Sequence, residues 1–317
     1  MENNTQLKEM IRSMVIDILQ GQKQEMASSQ PIKQAPRGQV EPGVFDTVDE
    51  AIQAAKAAQA RFEDCTLATR EKVIADIRAA MRPRVQELAQ KTVDETGMGR
   101  VADKVLKLNL TLNKTPGVED LVTECETGDN GMTLYELSAY GVIGAITPST
   151  NPAETLICNS IGMLAAGNAI FFSVHPGAKN LSRELVSELN QVIAKSIGIE
   201  NLIVTLREPS IESAQEMMLH PDVSLLVVTG GPGVVKQALQ SGKKVIGAGA
   251  GNPPAFVDET ADIKKAAQDI VLGASLDNNI LCIAEKSVVA MRQIEPQLVQ
   301  EMVKVGCVLV DNQQDIQ

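Results

Sequence analysis

Aromatic residues are nearly missing from this 317-residue chain: it has no tryptophan, two tyrosines and five phenylalanines. Its cores must therefore be packed from Ile, Val, Leu, Met and Ala, which the hydrophobic fraction of 44% supplies. Positive charge is in deficit, with 29 Lys and Arg against 40 Asp and Glu and a formal net charge of -11. A chain of that sign repels phosphate backbones, which argues against nucleic-acid binding. No apolar run reaches the roughly 18 residues needed to span a bilayer. Lys8, Glu9, Arg12 and Asp17 interrupt the first residues, so these do not read as a secretory signal. The two histidines, His175 and His220, belong to no metal motif, and no metal is expected. The five cysteines (Cys65, Cys125, Cys158, Cys282 and Cys307) form no CxxC pair and no even framework. They fit separate thiols in a reducing cytoplasm.

What is present falls into four stretches. Over residues 1–20, Leu7, Ile11, Met14, Val15, Ile18 and Leu19 share one helical face between Thr5 and Leu19, and Gly21 follows as a stop. Residues 21–42 turn to Gln, Ser, Pro and Gly, with Pro31, Pro36 and Pro42, the composition of a flexible linker. Residues 43–247 begin with Ala-rich helices at Val48–Phe62 and Ala68–Thr96, the second kinked near Pro83. A strand is expected at Met132–Leu137. Five short apolar runs then alternate with helices: Val142–Ile146, Ala169–Ser173, Leu202–Thr205, Leu225–Val228 and Lys243–Ile246. That pattern predicts an α/β fold with a five-stranded parallel sheet covered on both faces. Residues 248–317 start a second α/β set: strands at Ala255–Val257 and Ser287–Met291, helices at Ile263–Leu272 and Glu295–Val305, and a last strand at Cys307–Val310.

Three motifs carry possible chemistry. Gly247-Ala248-Gly249-Ala250-Gly251 follows a strand, but Asn252 breaks the GxGxxG spacing, and Pro253 and Pro254 prevent an immediate helix. It is not an ordinary dinucleotide fingerprint; a glycine crossover is the plain alternative. Thr229-Gly230-Gly231-Pro232-Gly233 lies between a strand and a helix, where backbone N–H groups can meet a phosphate, or simply turn the chain. Cys282 stands within Asp277-Asn278-Asn279-Ile280-Leu281-Cys282-Ile283-Ala284-Glu285-Lys286. Taken alone, a cysteine among apolar neighbours is more often inert than nucleophilic.

Their order decides more than each does singly. Thr147-Pro148-Ser149-Thr150-Asn151-Pro152, His175-Pro176, Val228–Gly231, Gly247–Pro254 and Asn278–Lys286 resemble, in sequence order, the aldehyde dehydrogenase superfamily. Glu95-Thr96-Gly97-Met98-Gly99 and Thr115–Asp120 add to the likeness, and the details resemble the CoA-acylating branch of bacterial microcompartments. Ser173–Lys179, Gly230–Val234, Ser241–Pro254 and Cys282–Ser287 are similar to the propionaldehyde dehydrogenases of propanediol utilisation. Asn278-Asn279-Ile280 is more similar to the acetaldehyde dehydrogenases of ethanolamine utilisation.

The resemblance implies an aldehyde dehydrogenase-like fold, with a Rossmann-like NAD- and CoA-binding domain over 43–247 and an incomplete catalytic domain over 248–317. It implies that Cys282 attacks a short-chain aldehyde, that hydride passes to NAD, and that coenzyme A takes the acyl group from the Cys282 thioester. Thr150 stands where hydrolytic members carry an oxyanion-holding Asn, with Asn151 one residue later; either is a candidate second donor beside the Cys282 N–H. Ala248 stands where those members carry the Glu that activates water. Water needs a general base, whereas a thiol is partly ionised already, so the exchange favours transfer to CoA. Cofactor contacts are implied at Thr147, Pro148, Ser149, His175, Pro176, Gly177, Thr229, Gly230, Gly231 and Gly249. His175 replaces a Lys directed at the adenosine ribose. The helix over 1–20 is expected to dock on a microcompartment shell protein and place the enzyme in the compartment lumen, without membrane binding. Family members continue past the matching segment and form oligomers, so the resemblance implies a homo-oligomer at full length. A non-catalytic cargo protein and a hydrolytic dehydrogenase are the alternatives, the second disfavoured by Ala248.

Overall fold

The computed structural model describes residues 41–310. The helix expected over Thr5–Leu19, the linker up to Val40 and the tail from Asp311 lie outside the described residues. In chain order the elements are β1 (Val44–Phe45), α1 (Val48–Glu63), α2 (Leu67–Met81), α3 (Val85–Thr96), α4 (Val101–Lys114), β2 (Glu124–Gly128), β3 (Gly131–Tyr135) and β4 (Val142–Ile146). They continue as α5 (Pro152–Ala165), β5 (Ala169–Ser173), α6 (Lys179–Ile197), β6 (Ile203–Leu206), α7 (Ile211–Leu219), β7 (Val223–Thr229), α8 (Pro232–Leu239) and β8 (Lys244–Ala248). The last are β9 (Pro254–Val257), α9 (Ile263–Ser275), β10 (Ser287–Ala290) and α10 (Glu295–Lys304).

Local chemistry sets many of these limits. The Thr47 hydroxyl accepts from the Glu50 N–H and starts α1, whose Val48, Ala51, Ile52, Ala55, Ala58 and Phe62 are buried. The helix expected over Ala68–Thr96 is two helices. Pro83 sits in a 3₁₀ turn, Arg82–Arg84, between α2 and α3, because proline takes an N–H out of the ladder and clashes with the preceding turn. Glu95 joins α3 to α6: its carboxylate accepts from the N–H groups of Asn180 and Leu181, both at 2.8 Å, and caps the start of α6.

The main sheet is parallel, in the order β1-β6-β5-β4-β7-β8. Leu202–Thr205 and Leu225–Val228 fall in it as expected, but the sheet has six strands rather than five. The extra strand is β1, whose two residues are too short to produce an apolar period. Helices α1 and α7 pack on one face and α5 and α6 on the other, with α2, α3 and α4 outside α5 and α6. β4 and β5 are buried along their whole length.

Two further corrections concern strands. The run expected at Met132–Leu137 is β3, paired antiparallel with β2, which the sequence did not announce. The β2 residues Glu124, Cys125, Glu126, Thr127 and Gly128 carry no apolar alternation. Cys307–Val310 is not a strand: β9 and β10 pair with each other, and 307–310 pairs with no described strand. Apolar composition alone does not make a strand without a ladder partner.

β1 pairs with β6 through the Thr205 N–H to the Gly43 carbonyl (2.9 Å) and the Arg207 N–H to the Phe45 carbonyl (2.8 Å), and a buried amide ties α6 to β6 beside it. Asn190 Nδ2 donates to the carbonyls of Val186 (3.0 Å) and Ile203. Gly43 turns into β1 at φ 75°, and a Cβ there would overlap both the Asn190 amide and the Ile203 carbonyl. Gly43→Ala should therefore lower stability by about 1–3 kcal/mol, from the strained φ and the overlap together. A shift in the urea midpoint at constant m-value is the measurement.

Candidate active site

The loops that carry the expected cofactor residues share one edge of the main sheet. β4 lies between β5 and β7, so the chain runs away from it on both sides. In open parallel sheets the crevice at such a reversal, beyond the carboxyl ends of the strands, is where ligands bind. Thr147, Pro148 and Ser149 follow β4, and His175, Pro176 and Gly177 come after β5. Thr229, Gly230 and Gly231 end β7, and Gly249 follows β8.

These residues suit a dinucleotide in several ways. The Thr147 hydroxyl is buried and has no partner, while its N–H donates to the Ser173 carbonyl at 3.2 Å. His175 Nδ1 accepts from the Gly177 N–H at 3.0 Å. The neutral ring therefore carries its proton on Nε2, which remains a donor. Gly231 begins α8 with no side-chain cap and with open space where a Cβ would stand. The first N–H groups of that helix are thus free to receive an anion.

Cys282 is exposed on the turn between α9 and β10. This loop is shaped by three consecutive residues with left-handed backbone, Asp277, Asn278 and Asn279, at φ 50°, 55° and 59°. Asp and Asn tolerate that region better than most side chains, but a run of three holds only if its surroundings impose it. Asn279 Nδ2 donates to the carbonyls of Ala274 and Glu285. The Lys286 ammonium donates to Asn279 Oδ1 (2.7 Å) and to the carbonyls of Leu281 (2.8 Å) and Asn279 (3.2 Å). The segment 247–254 supports the loop from below. A Cβ on Gly251 would collide with the Cys282 carbonyl oxygen, so a glycine is what lets the two backbones touch.

A buried charge cluster lies behind both groups. α4 turns Asp103, Lys104 and Lys107 inward, with Arg100 exposed just before its first turn, while Leu106 and Leu110 are about 60% exposed (62% and 61%). Asp277, fully buried, accepts from the Arg100 N–H (2.9 Å), from Lys107, and from Lys104 (3.1 Å). Its own N–H donates to Asp103 Oδ2 at 3.0 Å. Lys104 also donates to the Thr150 carbonyl, and Lys107 to Asn151 Oδ1. Glu154 is buried 3.4 Å from Lys107. Burial opposes ionisation of Asp277, yet hydrogen bonds from Lys107, the Arg100 N–H and Lys104 outweigh it and hold the carboxyl below the ordinary range. Burial pushes the Lys104 ammonium down.

The structure thus ties the Cys282 loop and the Thr150–Asn151 turn to the same two ammonium groups. Sequence reasoning missed Asp103, Lys104, Lys107, Glu154 and the bracing by Lys286. Four charges at i, i+3, i+4 and i+7 read as a solvated face; the signal was the pair of leucines, Leu106 and Leu110, on the other side of the same helix. Among the described residues, no group of three or more His, Cys, Asp and Glu is placed to hold a metal ion, and no helix is long and apolar enough to cross a membrane.

The model of the aldehyde dehydrogenase family matches residues 18–312. The chain belongs to that family. It is 48% identical over 308 residues, 97% of its own length, to a propanal dehydrogenase (CoA-propanoylating) of Salmonella typhimurium. It spans 64% of that relative's length. A propionaldehyde dehydrogenase from the fucose utilisation microcompartment of Clostridium phytofermentans superposes with a TM-score of 0.83 at 49% identity, covering 87% of this chain and 64% of that one. The same TM-score, identity and coverages are found with a propionaldehyde dehydrogenase of Rhodopseudomonas palustris that holds CoA and an acylated cysteine.

The charge cluster gives this aldehyde dehydrogenase family member a pH signature. With its pKa depressed in the folded state, Asp277 contributes stability that is present above its unfolded value and lost as pH falls through the folded one. Asp277→Asn leaves two buried ammonium groups short of a counter-charge, which should cost about 3–5 kcal/mol at neutral pH. In urea titrations the gap to the unsubstituted protein should persist down to about pH 5 and narrow below about pH 4.

Proposed function

We propose that this chain carries the cofactor-binding and nucleophile segments of a CoA-acylating aldehyde dehydrogenase. The substrate is a short-chain aldehyde, propionaldehyde ahead of acetaldehyde, and the product is its acyl-CoA. The observation that carries this reading is the contact between Gly251 and Cys282. It seats an exposed thiol on the very segment in which Ala248 occupies the position of the hydrolytic branch's general base.

The chain's own groups divide the work. The 43–247 portion offers the strand-end crevice, and bound NAD supplies the hydride acceptor there. Residues 248–317 begin the portion that presents the thiol. Cys282 adds to the aldehyde carbon and later holds the acyl group as a thioester. With Ala248 in place of a carboxylate, water is not activated, and the thioester waits for a thiol nucleophile. Thr150, Asn151 and the Cys282 N–H are the donors available to the oxyanion. Similarity to microcompartment enzymes supports a place in a compartment lumen. The spacing of apolar residues in the sequence of 1–20 supports docking on a shell protein, and the family resemblance supports a homo-oligomer.

In the full-length protein, Cys282→Ser should abolish CoA-dependent NADH formation from propionaldehyde, while Cys65→Ser and Cys158→Ser should leave it. Retained turnover in Cys282→Ser would mean that another thiol is the nucleophile. Ala248→Glu should raise release of free propanoate when CoA is absent. If the unsubstituted enzyme already releases free acid as fast as acyl-CoA, the hydrolytic reading takes its place.

A further inference from the structure

We infer that Lys286 is a positioning residue for the reaction, because its ammonium strengthens the Cys282 N–H as a donor to the substrate oxygen. The inference rests on the acyl-transfer reading above, in which that N–H meets the oxygen as the sulfur adds. The local chain geometry carries it. The Ala284 N–H donates to the Leu281 carbonyl at 3.2 Å, so residues 281–284 form a β-turn with Cys282 in its second position. Such a turn does not use the N–H groups of its two central residues. Among the described residues, neither Cys282 nor Ile283 gives its N–H to an acceptor. The same Leu281 oxygen accepts from the Lys286 ammonium at 2.8 Å. Leu281 C=O and Cys282 N–H belong to one planar peptide group, linked by resonance. A cation on the oxygen draws electron density out of the nitrogen, so this N–H donates more strongly than that of an uncharged turn.

The ammonium is held where this requires it. Its three hydrogens face the Leu281 carbonyl, the Asn279 carbonyl (3.2 Å) and Asn279 Oδ1 (2.7 Å), with the Ala284 carbonyl at 3.5 Å. All four are neutral oxygens, so within this shell no carboxylate cancels its field on the loop. Asn279 is locked in turn, since its Nδ2 donates to the carbonyls of Ala274 (2.5 Å) and Glu285 (3.0 Å). The Lys286 N–H reaches the Pro253 carbonyl at 3.5 Å, and Gly251 touches the Cys282 carbonyl. The two peptide groups that flank Cys282 are therefore fixed, the first by the ammonium and the second by the glycine segment. In the addition step the Cys282 thiolate sulfur bonds to the aldehyde carbon, and the carbonyl electron pair moves onto oxygen. The Cys282 N–H stabilises that oxygen by a hydrogen bond, and neither it nor Lys286 transfers a proton.

The test uses the full-length enzyme. Lys286→Met keeps the stem and removes the donors, Lys286→Gln keeps a donor without the charge, and Lys286→Arg keeps both. Lys286→Met and Lys286→Gln should each lower kcat about tenfold, less than loss of a whole oxyanion donor, and leave the KM for CoA unchanged. Lys286→Arg should recover most of that loss. A brace that merely holds the loop would be served by Lys286→Gln as well as by Lys286→Arg. The second readout is the infrared carbonyl band of the isotope-labelled propanoyl-enzyme, formed from propionaldehyde and NAD without CoA. A weaker N–H donor moves that band to higher wavenumber, so Lys286→Met and Lys286→Gln should shift it and Lys286→Arg should not. Turnover of Lys286→Gln within about threefold of the unsubstituted enzyme overturns the inference, as does a band that stays in place while turnover falls. Lys286→Gln decides the role even if Lys286→Met does not fold. Cys282→Ser run alongside separates the failures. Activity there removes the acyl-enzyme reading itself, whereas an inactive Cys282→Ser beside an unimpaired Lys286→Gln removes only the role given to Lys286.

Discussion

A single carboxylate, Asp277, meets two ammonium groups in the interior, and the arrangement of the site follows from that meeting. Desolvating three charges is expensive, and only close geometry and filled hydrogen-bond positions offset it. The structure supplies both. One Asp277 oxygen receives Lys104 and Lys107, the other receives the Arg100 N–H, and the lysines extend to Thr150 and Asn151. To do this α4 must turn its charged stripe inward, which leaves Leu106 and Leu110 outside. Gly99 belongs to the same device: it has φ 79°, and a Cβ there would strike the Asp277 carboxylate. A buried network of this kind contributes less to net stability than to uniqueness of geometry. Here the geometry in question is that of the Cys282 loop against the Thr150–Asn151 turn.

The rest of the site is a consequence of sheet topology. Four successive strand ends deliver Thr147, His175, Thr229 and Gly249 to one edge, and the reversal at β4 opens that edge to a ligand. The cofactor crevice proposed here does not depend on a GxGxxG fingerprint. An uncapped helix start at Gly231, a buried unpaired hydroxyl at Thr147 and a ring N–H at His175 offer donors of the kinds a dinucleotide uses.

Much of this is legible in the amino-acid sequence alone. Where burial on both faces makes a strand wholly apolar, as in β4 and β5, the sequence located it to the residue. The loops at the ends of β4, β5, β7 and β8 fall where those strands predict, at one edge of the sheet. β1 escaped because two residues cannot show a period, and β2 because its pairing partner, not its composition, makes it a strand. Cys307–Val310 erred in the opposite sense, being apolar without a partner. The charge cluster was hidden for a different reason. Periodicity shows that a helix has two unlike faces, but charged residues are so seldom buried that the polar face is read as outward. Leu106 and Leu110 are the one sequence signal to the contrary, and the contacts of Asp277, far away in sequence, show that α4 is turned the other way. Asn278 and Asn279 drew attention as marks of a branch. Their physical role is to tolerate the left-handed backbone that carries the chain toward Cys282.

The central claim is that a thioester on Cys282 stands between aldehyde and CoA. The most direct measurement is mass spectrometry of the full-length protein after it has been mixed with propionaldehyde and NAD, without CoA. The account predicts a propanoyl adduct on the peptide that carries Cys282, discharged to propanoyl-CoA when CoA is added. An adduct on another residue, or NADH formed with no covalent adduct at all, would contradict it.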